Sequence, residues 1–311
     1  MSGIYENYVP STSYIDDRKI FELSTRIEYV SAQMIKKLEN TEGCTKAIDK
    51  YPELEDYTQE IGNFYRSYYA KFGIEDVWIP SFSSVFVRNY DKGLAGFGGI
   101  PGVTIVDEAL WLANPQSISR EWAMLNASRV IAHEYYHKTA PANLVGKFEG
   151  NNLLFARSER KGLTFSHKNP KIGSYPSAVE EGLAALLTEE ISEALEPIYF
   201  SEQVKQEREY LAQYYRNHPE TKDSFVLGIP GNFAYIKEKS YNSPLKLVVF
   251  LEAQFEDHGF DFRRLVERAR LLGETVSLAK ATESIFGKGS YRRIFACHVQ
   301  NTDILLNGLR K

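Results

Sequence analysis

The chain has 311 residues and a mass of 35.5 kDa, which is enough for one large domain with two lobes and a sizeable core. Hydrophobic residues make up 43% and charged residues 25%, and the formal net charge of −4 gives no reason to expect nucleic acid or an anionic membrane as a partner. The sequence has two cysteines, no signal peptide and no apolar segment that could span a bilayer, and it therefore predicts a cytoplasmic protein.

The first part of the chain predicts helices followed by a small sheet. Residues 18–72 carry apolar residues at three- and four-residue spacing, which indicates a helical N-terminal section over residues 1–76. Between about residues 77 and 110 the pattern changes to short β-branched and aromatic runs separated by glycines. Such runs are typical of short strands and turns.

The remainder of the chain predicts mainly helices. One helix begins near Ser119 and ends before Pro141, because proline cannot continue a helix interior. Residues 146–175 are rich in glycine and basic residues and are predicted to form a loop. Further helices are predicted at about 177–195, 200–217, 244–257 and 261–271. This order predicts an α+β fold with a cleft between an N-lobe, residues 77–145, and a helical C-lobe, residues 146–311.

The stretch "VIAHEYYHKTA" suggests a metal site on the first of these helices. His133 and His137 lie one turn apart on the same face, where both rings can bind one metal ion, and Glu134 is adjacent. This His-Glu-x-x-His pattern is typical of zinc peptidases, in which the glutamate is the general base. Because the pattern is short, two ordinary helix histidines and a solvated glutamate are the alternative interpretation.

A catalytic zinc ion takes three protein ligands and leaves one position for water, so a third ligand is needed. Ala140 and Asn143 occupy the positions where a metzincin would have glycine and histidine, which excludes that subclass. In "SYPSAVEEGLAALLTEEI", Glu180 and Glu181 lie one turn inside a predicted apolar helix. Either could be the ligand, although both also suit the positive end of the helix dipole.

These residues together resemble the gluzincin metallopeptidases of the aminopeptidase N family. In that family a glycine-containing strand precedes the zinc helix, and "GGIPGVTIVDEALWL" followed by "VIAHEYYHKTAPANLV" is similar in order. The run "EEGLAALLTEE" resembles the family's third-ligand segment, which implies that Glu181 is the ligand. The run "SYNSPLKLVVFLEAQF" resembles the segment of the transition-state tyrosine, which implies that role for Tyr241.

The resemblance implies a zincin (thermolysin-like) fold and a zinc-dependent peptidase whose substrate is a peptide or protein. It implies Zn²⁺ held by His133, His137 and Glu181, with Glu134 as general base and Tyr241 as oxyanion donor. The strand segment before the zinc helix would bind an extended substrate, and its predicted contact residues are Gly98, Gly99, Val103 and Thr104.

The chain departs from the family at the position that binds the free amine of the substrate. The family has a glutamate there, whereas Pro101 and Gly102 occupy the aligned positions in this sequence. Neither residue offers a charge to an ammonium group. We therefore expect hydrolysis that does not depend on a free N-terminus.

Two other functions are compatible with the sequence. A zincin-fold protein with weak or no catalytic activity could bind a peptide or protein partner, although the intact Glu134 argues against it. The second function is that of a helical protein that binds a partner and holds no metal. Neither nucleic acid nor a membrane is expected as a partner, and the oligomeric state is left open.

Overall fold

A computed structural model of the chain describes residues 2–8, 36, 44–75, 77–88, 96–97, 104–107, 119–140, 142–149, 152–161, 163–165, 177–219, 226–229, 233–236 and 242–310. Within these residues the chain is mostly helical with small sheets, which confirms the α+β class. The division into segments 1–76, 77–145 and 146–311 stays a prediction. Among the helices that the structure describes, none combines the length and the apolar character that crossing a membrane requires.

The helices are numbered α1 to α10 in chain order. They are α1 Ala47–Lys50, α2 Leu54–Ala70, α3 Arg120–Thr139, α4 Ala178–Tyr199, α5 Ser201–Asn217, α6 Asn242–Asp257, α7 Phe262–Leu272, α8 Thr275–Phe286, α9 Ser290–Phe295 and α10 Thr302–Leu309. The helices predicted from periodicity at 177–195, 200–217, 244–257 and 261–271 are confirmed as α4, α5, α6 and α7.

The strands are β1 Ser2–Tyr8, β2 Cys44–Lys46, β3 Val85–Arg88, β4 Gly96–Phe97, β5 Thr104–Asp107, β6 Ala142–Glu149, β7 Asn152–Lys161, β8 Thr164–Phe165, β9 Val226–Ile229 and β10 Phe233–Ile236. They form one sheet in the order β2-β3-β5-β4, a second in the order β1-β6-β7-β8, and an antiparallel pair of β9 and β10.

The sheet predicted between residues 77 and 110 is confirmed by β3, β4 and β5. β5 runs parallel to β3, and β4 pairs antiparallel with Ile105 and Val106 of β5. β5 therefore lies between β3 and β4, and the binding of an extended substrate along its segment stays a prediction. The outermost strand on this side is β4.

The loop predicted at residues 146–175 is wrong over much of its length, because β6 and β7 form a long hairpin there. Glu149 pairs with Asn152, so only Gly150 and Asn151 lie between the paired residues. A Gly-Asn pair between two strand-like runs is a hairpin signal, whereas the glycines and basic residues of this stretch favour a loop. Residues 166–176 lie outside the described residues.

The N-terminal section is not entirely helical. β1 pairs antiparallel with β6, from Ser2 opposite Glu149 to Tyr8 opposite Asn143, and β2 pairs with β3. β1 lies before the helical pattern of residues 18–72, but β2 lies within those residues, where the prediction of helix is therefore wrong. Both strands obtain their hydrogen bonds from partners far along the chain. Within that pattern α2 is confirmed, and residues 18–35 and 37–43 lie outside the described residues.

The core lies where α4 packs against both α3 and α6. Fully buried side chains in this contact are Leu125, Ile131, Leu183, Leu187, Leu247 and Leu251. α3 also packs against α2 on one side and against β4 and β5 on another. A helix with neighbours on several sides is buried over most of its surface. The polar residues of α3 near its end therefore lie inside the protein.

Candidate metal centre

α3 carries both histidines near its C-terminal end. Ser119 caps the start of the helix, since its Oγ accepts a hydrogen bond from Trp122 N at 3.5 Å. The helix ends at Thr139 because Ala140, which precedes Pro141 in the sequence, has the extended conformation that proline imposes on its predecessor (φ −74°, ψ 136°). His137 therefore lies in the last turn of α3.

α4 brings a glutamate to the same place from its first turn. Ser177 is its N-cap, and its Oγ accepts a hydrogen bond from Glu180 N at 3.1 Å. Glu180 and Glu181 follow in the first turn and are 2% and 6% exposed. Because α4 packs on α3, one of these carboxylates can reach the histidines.

Glu181 is the carboxylate that meets the two histidines. His133 Nε2 lies 3.2 Å from Glu181 Oε2, and His137 Nε2 lies 3.2 Å from Glu181 Oε1. The two Nε2 atoms are 3.2 Å apart. The three side chains are between 8% and 14% exposed, so the group is largely shielded from water. These three residues form a group that could hold a metal ion.

The surroundings of the Glu181 carboxyl favour its ionised form. Burial raises its pKa, but the interactions with His137 and His133 outweigh burial and hold the pKa well below its usual value. An ionised carboxylate only accepts hydrogen bonds and is the form that binds metal ions.

The protonation of the two rings decides how the three contacts in this group are satisfied. A ring nitrogen either carries a proton or presents a lone pair. If both Nε2 atoms carry protons, each can donate to its own oxygen of Glu181, and the two nitrogens then lie 3.2 Å apart without a bond between them. If either presents a lone pair, that lone pair faces the carboxylate of Glu181. One cation between the three groups would satisfy both lone pairs and the carboxylate.

The spacing of the three groups fits a small metal ion. Ligand atoms bonded to tetrahedral zinc at about 2.0–2.1 Å are about 3.3 Å from one another. The measured contacts between the groups are 3.2 Å. The residues present therefore fit a metal ion with tetrahedral preference.

Glu180 is buried beside Glu181 but is not part of the metal group. Its charge acts instead on Arg270, whose pKa it helps to raise. The sequence alone left Glu180 and Glu181 as alternatives, and the group that the structure brings together contains Glu181.

Glu134 follows His133 and is 8% exposed. Within the described part of the chain, no hydrogen bond or ion pair occupies its carboxylate. A carboxylate without a fixed partner, on the residue that follows a ligand histidine, is available to exchange a proton. Its role as general base stays a prediction.

Of the other predicted site residues, the structure describes only Thr104. Tyr241, Gly98, Gly99 and Val103 lie outside the described residues. Thr104 is the first residue of β5, and β5 packs against α3. The predicted substrate-binding strand thus lies next to the histidine helix.

Gly182 lets α6 approach the start of α4 closely. A Cβ on Gly182 would lie 2.3 Å from the carbonyl oxygen of Pro244 and 2.6 Å from Val248 Cγ2. These separations are too short for any side chain. The first turn of α6 therefore lies directly against the residue that follows Glu181.

We expect Gly182→Ala to destabilise the protein by roughly 1–3 kcal/mol, because a backbone oxygen cannot move aside and the two helices must separate. Urea unfolding measures this effect. Gly308→Ala in α10 is the matched control, since nothing lies within 4 Å of its Cβ position. The control should be neutral or stabilising by up to about 1 kcal/mol. A Gly182→Ala protein as stable as the wild type would contradict the close packing.

Arg129 is a partly buried residue near the site, and the sequence analysis did not identify it. It lies one turn before His133 and binds Glu196 of α4 and Glu207 of α5 through hydrogen bonds of 2.7–2.8 Å. These hydrogen bonds hold α3 against α4 and α5 at a point one turn before His133. No local pattern indicates this contact, because the partners are 67 and 78 residues away in the sequence.

Comparisons with protein-family models, with curated proteins and with solved structures give no match for this chain. The family resemblance therefore rests on the sequence motifs. The metal centre rests independently on the geometry of its three residues.

Proposed function

We propose that this protein is a zinc-dependent peptidase with a zincin fold. The observation that carries the proposal is the group of His133, His137 and Glu181, whose ligand atoms lie at the spacing that one bound metal ion needs. Glu134 beside this group completes the residue set that metal-assisted hydrolysis needs.

Zinc is the metal that we infer from the donor set. Two imidazole nitrogens and one carboxylate oxygen are typical of catalytic zinc sites, which keep one position open for water. A site for calcium or magnesium would use mainly oxygen ligands. The geometry thus favours a catalytic site over a closed structural one.

The chemistry follows from the roles of the protein residues around the ion. When bound, Zn²⁺ supplies Lewis acidity, which makes a water molecule acidic near neutral pH and polarises a peptide carbonyl. Glu134 would accept the proton of the attacking water and then pass it to the leaving amine. Because Glu134 is not a ligand, it can carry the proton without releasing the metal.

The sheet beside α3 supports a binding site for an extended peptide. β4 and β5 pack against α3, and β4 is the outermost strand on that side. A peptide could add to the sheet beside Gly96–Phe97 through main-chain hydrogen bonds. The contacts of Gly98, Gly99, Val103 and Thr104 with the substrate stay a prediction from the sequence.

The sequence resemblance supports a catalytic role for Tyr241, which immediately precedes α6 in the sequence. The first turn of α6 packs against the residue after Glu181 through the carbonyl of Pro244. In this proposal the Tyr241 hydroxyl would donate a hydrogen bond to the oxyanion that develops during hydrolysis.

We expect Tyr241→Phe to lower kcat by about 100-fold with little change in KM, because this hydrogen bond forms only in the transition state. Steady-state kinetics on one peptide measures the effect. Tyr235→Phe, in β10, is the matched control and should retain full activity. An unchanged kcat in Tyr241→Phe would remove the tyrosine from the mechanism.

The proposed function is tested by cleavage of a peptide library in two forms, with free and with acetylated N-termini. Because Pro101 and Gly102 offer no charge to an ammonium group, we expect cleavage of both forms at the same bonds. A chelator should abolish both reactions. Cleavage of the free form alone would reveal an amine anchor, and no cleavage of either form would contradict a peptidase.

A further inference from the structure

A second cluster of buried polar residues lies at the end of α3, next to the metal group. Glu267 and Arg270, both on α7, are 0% and 1% exposed, and Arg270 Nε lies 2.8 Å from Glu267 Oε2. A buried ion pair is weak evidence for stability, because desolvating the two charges offsets most of their attraction. The contacts of this ion pair with the end of α3 indicate a role other than stability.

Tyr136, which precedes His137, is held by this ion pair at three points. Its hydroxyl donates a hydrogen bond of 3.0 Å to Glu267 Oε1. Its ring lies under the Arg270 guanidinium, 4.0 Å from the ring centre. Its carbonyl accepts a hydrogen bond of 3.0 Å from Arg270 Nη1. Both the side chain and the backbone of Tyr136 are therefore fixed.

The same guanidinium also holds the end of the helix. Arg270 Nη2 donates hydrogen bonds to Thr139 Oγ1 at 3.1 Å and to the Tyr69 hydroxyl at 2.6 Å. Thr139 is the last residue of α3. Carbonyls in the last turn of a helix lack intrahelical partners, so that turn frays unless donors from elsewhere bind it. His137 lies between the two residues that Arg270 binds.

We propose that Glu267 and Arg270 are positioning residues for His137, which fix the last turn of α3 so that the ring meets His133 and Glu181. This inference rests on the proposed metal centre. A metal site requires ligand positions held within about 0.5 Å, and residues outside the ligands typically supply that precision. Arg270 contacts Tyr136 and Thr139, which lie on either side of the ligand His137 in the sequence.

Two tyrosines provide a matched test, because both donate to the same oxygen of Glu267. Tyr136 OH lies 3.0 Å and Tyr68 OH lies 3.2 Å from Glu267 Oε1, and both side chains are buried. Tyr136 is on α3 beside His137, whereas Tyr68 is on α2. Phenylalanine at either position removes one hydroxyl from the same acceptor and leaves the ion pair intact.

The full-length variants Tyr136→Phe and Tyr68→Phe are compared with the wild type by three measurements. These are the dissociation constant of Zn²⁺ from competition with a chromophoric chelator, the visible spectrum of bound Co²⁺, and urea unfolding of the metal-free protein. We expect similar shifts of the unfolding midpoint in both variants. Tyr136→Phe should raise the Zn²⁺ dissociation constant by about tenfold and alter the Co²⁺ bands, whereas Tyr68→Phe should change the constant less than about twofold.

Wild-type values of the Zn²⁺ constant and the Co²⁺ spectrum in Tyr136→Phe would overturn the positioning role while leaving the metal centre intact. Equal weakening in both variants would also overturn it, because the effect would then follow stability alone. A wild-type protein that binds no Zn²⁺ would overturn the metal centre and this inference together.

Discussion

Replacing Glu134 with glutamine is expected to lower peptide hydrolysis by about 100- to 10,000-fold while the protein retains its zinc. Glutamine has nearly the same shape as glutamate but cannot take a proton from water. Glu134 is 8% exposed and is not one of the three residues of the metal group. Glu134→Gln should therefore slow the chemical step of hydrolysis without weakening zinc binding.

This expectation is checked by measuring kcat/KM and metal content on the same preparation of Glu134→Gln. The Glu180→Gln variant is a suitable control, because Glu180 is also a buried glutamate near the metal group. Hydrolysis in that control should stay within about tenfold of the wild type. Full activity in Glu134→Gln would exclude Glu134 as the general base.

Replacing Glu181 with glutamine should weaken zinc binding by more than about 100-fold, which exceeds the loss that changes outside the ligands cause. The substitution removes the negative charge that faces both Nε2 atoms at 3.2 Å. Glu180→Gln is the matched comparison, since it removes an equally buried charge from the preceding residue of the same helix turn.

Competition with a chelator measures the zinc affinity of both variants, and urea unfolding shows whether each is folded. A large loss in Glu181→Gln with little change in Glu180→Gln is the expected pattern. The reverse pattern would mean that the ligand assignment is wrong by one residue. Equal losses would indicate a general effect of charge on α4.

Local sequence signals located the helices well because their ends carry recognisable residues. α4 begins after the N-cap Ser177, and α3 ends before Pro141. The predicted end of α4, near residue 195, is about four residues short of the observed one. The helix continues to Tyr199 with the proline inside its last turns.

Strands were harder to predict because their hydrogen bonds come from distant segments. β1 pairs with β6 across more than a hundred residues, and no local pattern indicates that partner. The β6–β7 hairpin did have a local signal in Gly150 and Asn151, but the surrounding basic residues suggested a loop.

The metal group was partly predictable from spacing. Four-residue spacing on a helix is enough to put His133 and His137 together, because the helix itself sets their separation. The choice between Glu180 and Glu181 depends on how α4 rotates against α3, which spacing does not determine. The sequence resemblance favoured Glu181, and the structure brings that residue to the histidines.

The buried ion pair of Glu267 and Arg270 could not be predicted from the sequence. Glu267 and Arg270 have the spacing of an ordinary surface ion pair on a helix, and only the tertiary fold buries them. The hydrogen bonds from Arg270 to Tyr136 and Tyr69 span 134 and 201 residues of sequence. Such contacts become visible only when α2, α3 and α7 are packed together.

The most direct test of the metal centre is anomalous X-ray diffraction at the zinc absorption edge from crystals grown with one equivalent of Zn²⁺. The proposed centre predicts one strong peak at about 2.0–2.2 Å from Nε2 of His133, Nε2 of His137 and a carboxylate oxygen of Glu181. No peak between these residues, or a peak bound by other side chains, would contradict it.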